Sequence, residues 1–207
     1  MGHGNGARSW QQRERLVQTA ARIMAEEGVR DYFLAKQKAA ERLGVARNSP
    51  NLPRNQEIEL ALGAYQRLFR RDSQPLQLRR LREIACKAMA FFEPFQPRLV
   101  GSVLSGHADV HSEVTLHLFA ESPEQVSLLL LDKGVPHRLE ERRLQMRSGE
   151  PVSCPLFRLQ VDGVGVAAWV FDLDGLRQAP LSAITGRPME RASLSKVTAL
   201  LGQAMIG

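Results

Sequence analysis

The chain has 207 residues, 43% hydrophobic and 24% charged, which fits one ordinary domain or two small ones and argues against wholesale disorder. Two cysteines, Cys86 and Cys154, cannot build a disulfide framework or a four-thiolate zinc site. No apolar run reaches the roughly 18 residues of a membrane span, and the polar, Gly-rich start from Met1 to Trp10 lacks the apolar core of a secretion signal. The expectation is a soluble cytoplasmic protein with a flexible N-terminus over residues 1–10 and no membrane partner.

The formal net charge is +6, and its distribution is uneven. Residues 1–96 hold 17 Lys/Arg against 10 Asp/Glu, whereas residues 97–207 hold 11 against 12. Of the 28 cations, 23 are Arg, the fork-shaped donor suited to phosphate and carboxylate. A basic first half points to an anionic partner such as a nucleic acid or a nucleotide.

The first half reads as helices. Leu16, Val17, Ala20, Ile23 and Met24 recur at helical spacing between Gln11 and Glu27, and Gly28 ends the segment. Asp31 to Leu43 follows, with Phe33, Leu34, Ala39, Ala40 and Leu43 apolar, and Gly44 stops it. Residues 48–54 contain Pro50 and Pro53 and predict a loop. A third helix runs to about Arg71 with Ile58, Leu62, Tyr65, Leu68 and Phe69 as its buried face. A fourth covers Pro75 to Phe92, burying Leu78, Leu81, Ile84, Ala85, Met89 and Phe92.

Beyond Pro94 and Pro97 the pattern changes. Residues 98–104 form a short apolar segment, and Glu113 to Phe119 alternates as a half-buried strand does. Ser122 and Pro123 open a helix that carries Val126 and Leu128 to Leu131 and stops at Gly134. Strands are predicted over His137–Arg147, Pro155–Val161 and Val164–Phe171, with Asp162-Gly163 as a hairpin turn between the last two. Ser193 caps a closing helix to Met205. Four helices followed by a β-α-β-β-β-α unit make an α+β protein with a helical domain over 11–94, a mixed-sheet domain over 95–207 and a boundary near Phe95.

The most specific feature is Gly101-Ser102, followed after ten intervening residues by Glu113-Val114-Thr115-Leu116. With an apolar helix before the turn and a helix after the strand, residues 75–175 resemble the nucleotidyltransferase superfamily, the DNA polymerase β-like fold. The resemblance implies a nucleotidyltransferase-like domain that binds ATP or another nucleoside triphosphate and transfers a nucleotidyl group with Mg²⁺. It implies that Gly101 and Ser102 hold phosphate and that Glu113 holds the metal, with Thr115 and Asp172 as further site residues and Asp174 as an alternative. A glycine lets backbone approach a phosphate, and carboxylates two apart on a strand face one way and can share a divalent ion.

The sequence departs from that pattern twice. Thr115 stands at the second acidic position, and the strand Val164–Phe171 holds no third carboxylate. With Glu113 alone in place, the charge needed for a pair of metal ions is depleted, which predicts a retained fold with transfer weakened or lost. A regulatory scaffold with a protein partner is the competing class.

Two other constellations stand out. His107, Asp109 and His111 alternate; if extended, they share one face and could approach a transition metal. Residues 20–28 and 38–45 are similar to the first helices of TetR-type helix-turn-helix repressors. The segment Ala46 to Pro53, where a recognition helix would begin, instead carries two prolines. Arg142, Arg143 and Arg147 lie on a predicted strand and read as a solvated face.

Overall fold

The structure is a computed structural model that describes residues 3–69, 74–146 and 149–203. The chain divides into two compact units, residues 1–72 with 183–185, and residues 73–182 with 186–207.

The first unit is helical. Helix α1 spans His3–Glu27, starting eight residues earlier than the apolar periodicity predicts. It buries Leu16, Val17, Ala20, Ala21, Ile23 and Met24, and Gly28 leaves it at φ 68°, in the left-handed region. Helix α2, Tyr32–Arg42, is capped by Asp31, whose carboxylate accepts from the Leu34 backbone at 2.9 Å. Its buried residues are Ala35, Ala39 and Ala40, whereas Phe33 and Leu34 are exposed. The buried face of α2 is therefore built from small side chains. Helix α3, Asn55–Phe69, adds Ile58, Ala61 and Leu62 to this core. The side chains of Leu68 and Phe69 lie outside the described residues.

The second unit begins with α4, Gln74–Phe91. Helix α4 thus groups with the sheet, whereas the sequence reading places it in the helical domain. The reason lies in the apolar face of α4: Leu81, Ile84, Ala85, Ala88, Met89 and then Phe92 are buried in the core of the sheet. Strand β1 (Arg98–Val100) leads to a four-residue helix α5 (Ser102–Ser105), then to β2 (Val114–Phe119) and α6 (Pro123–Asp132). Strands β3 (His137–Gln145), β4 (Pro151–Val161) and β5 (Val164–Phe171) follow, and α7 (Leu194–Gln203) closes the unit. Asp162 and Gly163 both have positive φ, 50° and 78°, as the β4–β5 hairpin turn requires. Ser193 caps α7 through its hydroxyl, which accepts from the Lys196 backbone at 3.4 Å.

The five strands form one sheet in the order β1-β2-β5-β4-β3. Only β2 and β5 run parallel; the other pairs are antiparallel. Val114, Leu116 and Leu118 pair in register with Val166, Ala168 and Val170, and all six are buried. Alternation puts this set on one face, where it packs with α4, with Val126 and Leu130 of α6 and with Val197 of α7. The opposite face carries Glu113, Thr115, His117 and Phe119 beside Gly165, Ala167, Trp169 and Phe171, then Leu156 and Arg158 of β4.

Among the described residues no helix is long and apolar enough to cross a membrane.

Leu116 is fully buried in the sheet core and Leu128 is 64% exposed. Leu116→Ala is expected to cost about 2–5 kcal/mol in urea unfolding, and Leu128→Ala within about 0.5 kcal/mol. Equal effects would contradict this assignment of faces.

Candidate functional site

Val100, the last residue of β1, pairs with Thr115, and the chain then turns at Gly101. Gly101 has φ 74° and ψ −156°, a conformation open in practice only to glycine. A Cβ there would lie 3.8 Å from Thr115 Oγ1, so the turn rests against that side chain. The Ser105 backbone N–H donates to the Gly101 carbonyl, and those of Gly106 and His107 donate to the Ser102 carbonyl, each at 3.0 Å. Arg82 of α4 fastens the turn from behind: Nε donates to the Val103 carbonyl at 3.2 Å and Nη2 to the Leu104 carbonyl at 3.3 Å. Burial lowers the Arg82 pKa, yet a guanidinium stays charged at neutral pH.

Glu113 immediately precedes β2. Its nearest neighbours across β5 are small. A Cβ on Gly165 would lie 3.6 Å from Glu113 Cβ and 3.7 Å from Oε2. Ala167 pairs with Thr115 on one side and with Arg158 on the other. Over this low floor Arg158 reaches from β4 across β5 to Glu113, with Nη1 at 2.9 Å from Oε2. Its Nε is 3.3 Å from Glu140 Oε1 on β3. Glu140 also accepts from Arg142, at 3.1 Å and 3.2 Å, and these cations hold its carboxyl below the ordinary carboxylate range.

Gly101, Ser102, Glu113 and Thr115 are thus brought to one end of the sheet. Asp172 is not. It follows Phe171, which pairs with Phe119 at the far end of β2. At about 3.3 Å per residue, Asp172 lies roughly 20 Å from Glu113 along the strands. The pairing of Glu113 with Asp172 as catalytic carboxylates is therefore corrected by the parallel register. Asp172 instead caps a 3₁₀ turn over Leu173–Leu176, accepting from the Gly175 backbone at 2.7 Å. With Asp174 it lines a cavity of about 490 Å³ beside Glu121, Cys154 and Phe171.

The donor set at Glu113 does not fit a divalent cation. It offers one carboxylate, already ion-paired with a guanidinium, where Mg²⁺ wants several oxygen ligands. The extended alternation expected for His107, Asp109 and His111 is also absent, because residues 107–113 form turns and coil. Asp109 is nearly buried, and its carboxylate accepts from the His111 backbone at 2.9 Å and from Ser112 Oγ at 3.1 Å. His107 Nδ1 lies 3.1 Å from Ser105 Oγ. Among the described residues no group of three His, Cys, Asp or Glu side chains is placed to hold a metal ion.

Burial pushes the Cys154 thiol up to about 12, so it is no nucleophile at neutral pH. In the first unit residues 43–54 form turns and coil, without a recognition helix. Arg13, Lys38, Arg42 and Arg47 there are ion-paired with Glu57, Glu27, Glu27 and Glu41.

Sequence reasoning missed three arginines: Arg82, Arg158 and Arg191. The last fastens the loop before α7 to the face of the sheet opposite α4. Arg191 Nε donates to Nδ1 of His117 at 3.0 Å and Nη1 donates to the Gly175 carbonyl at 2.6 Å. Its guanidinium carbon lies 5.0 Å and 5.4 Å from the ring centres of Phe119 and Phe171, within cation–π range. His117 is 1% exposed, and burial together with the Arg191 charge pushes its imidazole down to about 3.

This arrangement sets a pH dependence. The unfolded chain protonates His117 below about pH 6.5, and the folded protein does not until about pH 3. The neutral imidazole's contribution is complete above about pH 6.5 and is lost as pH falls toward 3, at up to about 1.4 kcal/mol per pH unit. Between pH 7 and pH 5, where the comparison is made, carboxylates with ordinary values near 4 stay largely ionised. Urea unfolding midpoints are expected to fall between pH 7 and pH 5 in the native protein and to flatten in His117→Gln, which keeps an acceptor for Arg191. Parallel losses in the two proteins would contradict this role for His117.

Comparisons with protein-family models, with curated proteins and with solved structures returned no match.

Proposed function

We propose that the second unit is a nucleotidyltransferase-like domain that binds the phosphates of a nucleoside triphosphate at the Gly101–Ser102 turn, with nucleotidyl transfer weakened or lost. The observation that carries this reading is the juxtaposition at the end of β1: a glycine-only turn resting on Thr115, with Glu113 two residues away on the same face and β5 parallel beside it. A turn of this kind lets a phosphate approach backbone closely. The positions next to Glu113 argue for binding rather than transfer. Thr115 and Ala167 stand where further carboxylates would gather metal ions, and phosphoryl transfer depends on such charge neutralisation.

Calorimetric titration with ATP, GTP, CTP and UTP, with and without Mg²⁺, tests the reading. At least one triphosphate is expected to bind, and Ser102→Ala is expected to weaken it about 10- to 100-fold if the hydroxyl donates to a phosphate oxygen. Gly101→Val should abolish binding, because a β-branched residue cannot hold that backbone conformation. Absence of binding by all four under both conditions would overturn the proposal.

A further inference from the structure

We infer that Arg158 serves as the built-in cation of this site, so that polyphosphate binds without a metal ion and in competition with Glu113 for the same guanidinium. The inference rests on the phosphate-binding reading above and specifies the ligand chemistry of that site.

Three observations carry it. First, the guanidinium stands where the motif would place a metal ion: over Gly165 and Ala167 of β5 and against Glu113 beside β2, at 2.9 Å. A Cβ on Gly165 would lie 3.7 Å from Glu113 Oε2, at ordinary contact distance, so the carboxylate rests beside β5.

Second, the local charges leave Glu113 as the group that answers Arg158. Glu140 is shared with Arg142, which contacts it through two nitrogens. Glu113 and Arg158 then face each other, with Arg138 of β3 beside them. Glu113 then acts as an internal anion at a cationic site rather than as a metal ligand.

Third, Arg158 remains reachable and has donors beyond those two contacts. Its side chain is 36% exposed. Nη1 and Nε make the contacts to Glu113 and Glu140, and Nη2 brings two further N–H donors in the planar fork that matches phosphate oxygens. Arg138 of β3 pairs with Arg158 in register and is exposed, so a second cation lies beside the first. From the β1 turn to β4 is three strand spacings, about 14 Å, a span suited to a chain of phosphates rather than a single one.

The experiment is a titration of inorganic tripolyphosphate and of ATP into the full chain in EDTA, repeated in excess Mg²⁺, for the native protein, Glu113→Gln and Arg158→Gln. Thermal melting confirms that each variant is folded. The native protein is expected to bind both probes in EDTA, with Mg²⁺ giving no gain. Glu113→Gln releases the guanidinium and should tighten binding severalfold. Arg158→Gln should weaken it at least about tenfold. Glu113→Gln keeps the size of the side chain and its sign of effect is diagnostic, so the inference stays testable even if Arg158→Gln fails to fold. Binding that needs Mg²⁺ and disappears in Glu113→Gln would make Glu113 a metal ligand and overturn the inference, while leaving the nucleotide-binding reading intact. Binding of ATP but not of tripolyphosphate, unaffected by either substitution, would also overturn it. No binding of either probe under any condition would remove the underlying reading as well.

Discussion

The parallel pairing of β2 with β5 is the constraint on which the rest of the second unit depends. It is the one parallel contact in the sheet, and it decides which residues are neighbours across a strand and which are separated by the length of one. Because Val114 pairs with Val166 and Phe119 with Phe171, Val114, Leu116, Leu118, Val166, Ala168 and Val170 fall on one face and bury together against α4. The same register sends Glu113, Thr115, Gly165 and Ala167 to the other face at one end. It sends Asp172 to the opposite end, where it caps a turn. A shift of one residue would exchange the two faces and expose the core, so site and core are fixed by the same interaction.

Within that frame the site carries charge in an unusual proportion. A two-metal centre concentrates carboxylates and lets cations from solution neutralise them. Here Glu113 is ion-paired with a guanidinium of the same chain. Arg158 and Glu113 are only partly exposed, 36% and 23%, so their attraction is less screened than that of a surface pair. At the other edge of the turn Arg82 does a different job: it takes two backbone carbonyls of α5 that a helix of one turn leaves without partners.

Much of the fold was legible because apolar periodicity reports burial directly. The strand over 114–119, the helix after Ser122-Pro123, the Asp162-Gly163 hairpin and α4 are all where the pattern places them. The α+β class follows from their order. What the pattern could not reveal is which unit a helix serves: α4 has the same kind of stripe as α1 to α3, but its stripe is the lid of the sheet. Apolarity alone did not separate Phe33 and Leu34, which are exposed, from Ala39 and Ala40, which are buried on α2. The Gly101–Glu113 neighbourhood was legible from spacing and flanking elements. The arginines were not, because long side chains act at a distance from their own position. Arg158 sits between the apolar Phe157 and Leu159 in sequence, and its meaning appears only once β4 is laid beside β5 and β2. Residue 172 was misplaced because a sequence shows that an acid follows a strand, not which end of the neighbouring strand it meets.

The most direct measurement is a crystal grown with a non-hydrolysable triphosphate and Mn²⁺, with diffraction recorded at the manganese absorption edge. The account predicts phosphate oxygens within hydrogen-bond distance of Arg158 and no anomalous peak beside Glu113. A manganese peak coordinated by the Glu113 carboxylate, with Arg158 turned away from the phosphates, would contradict it.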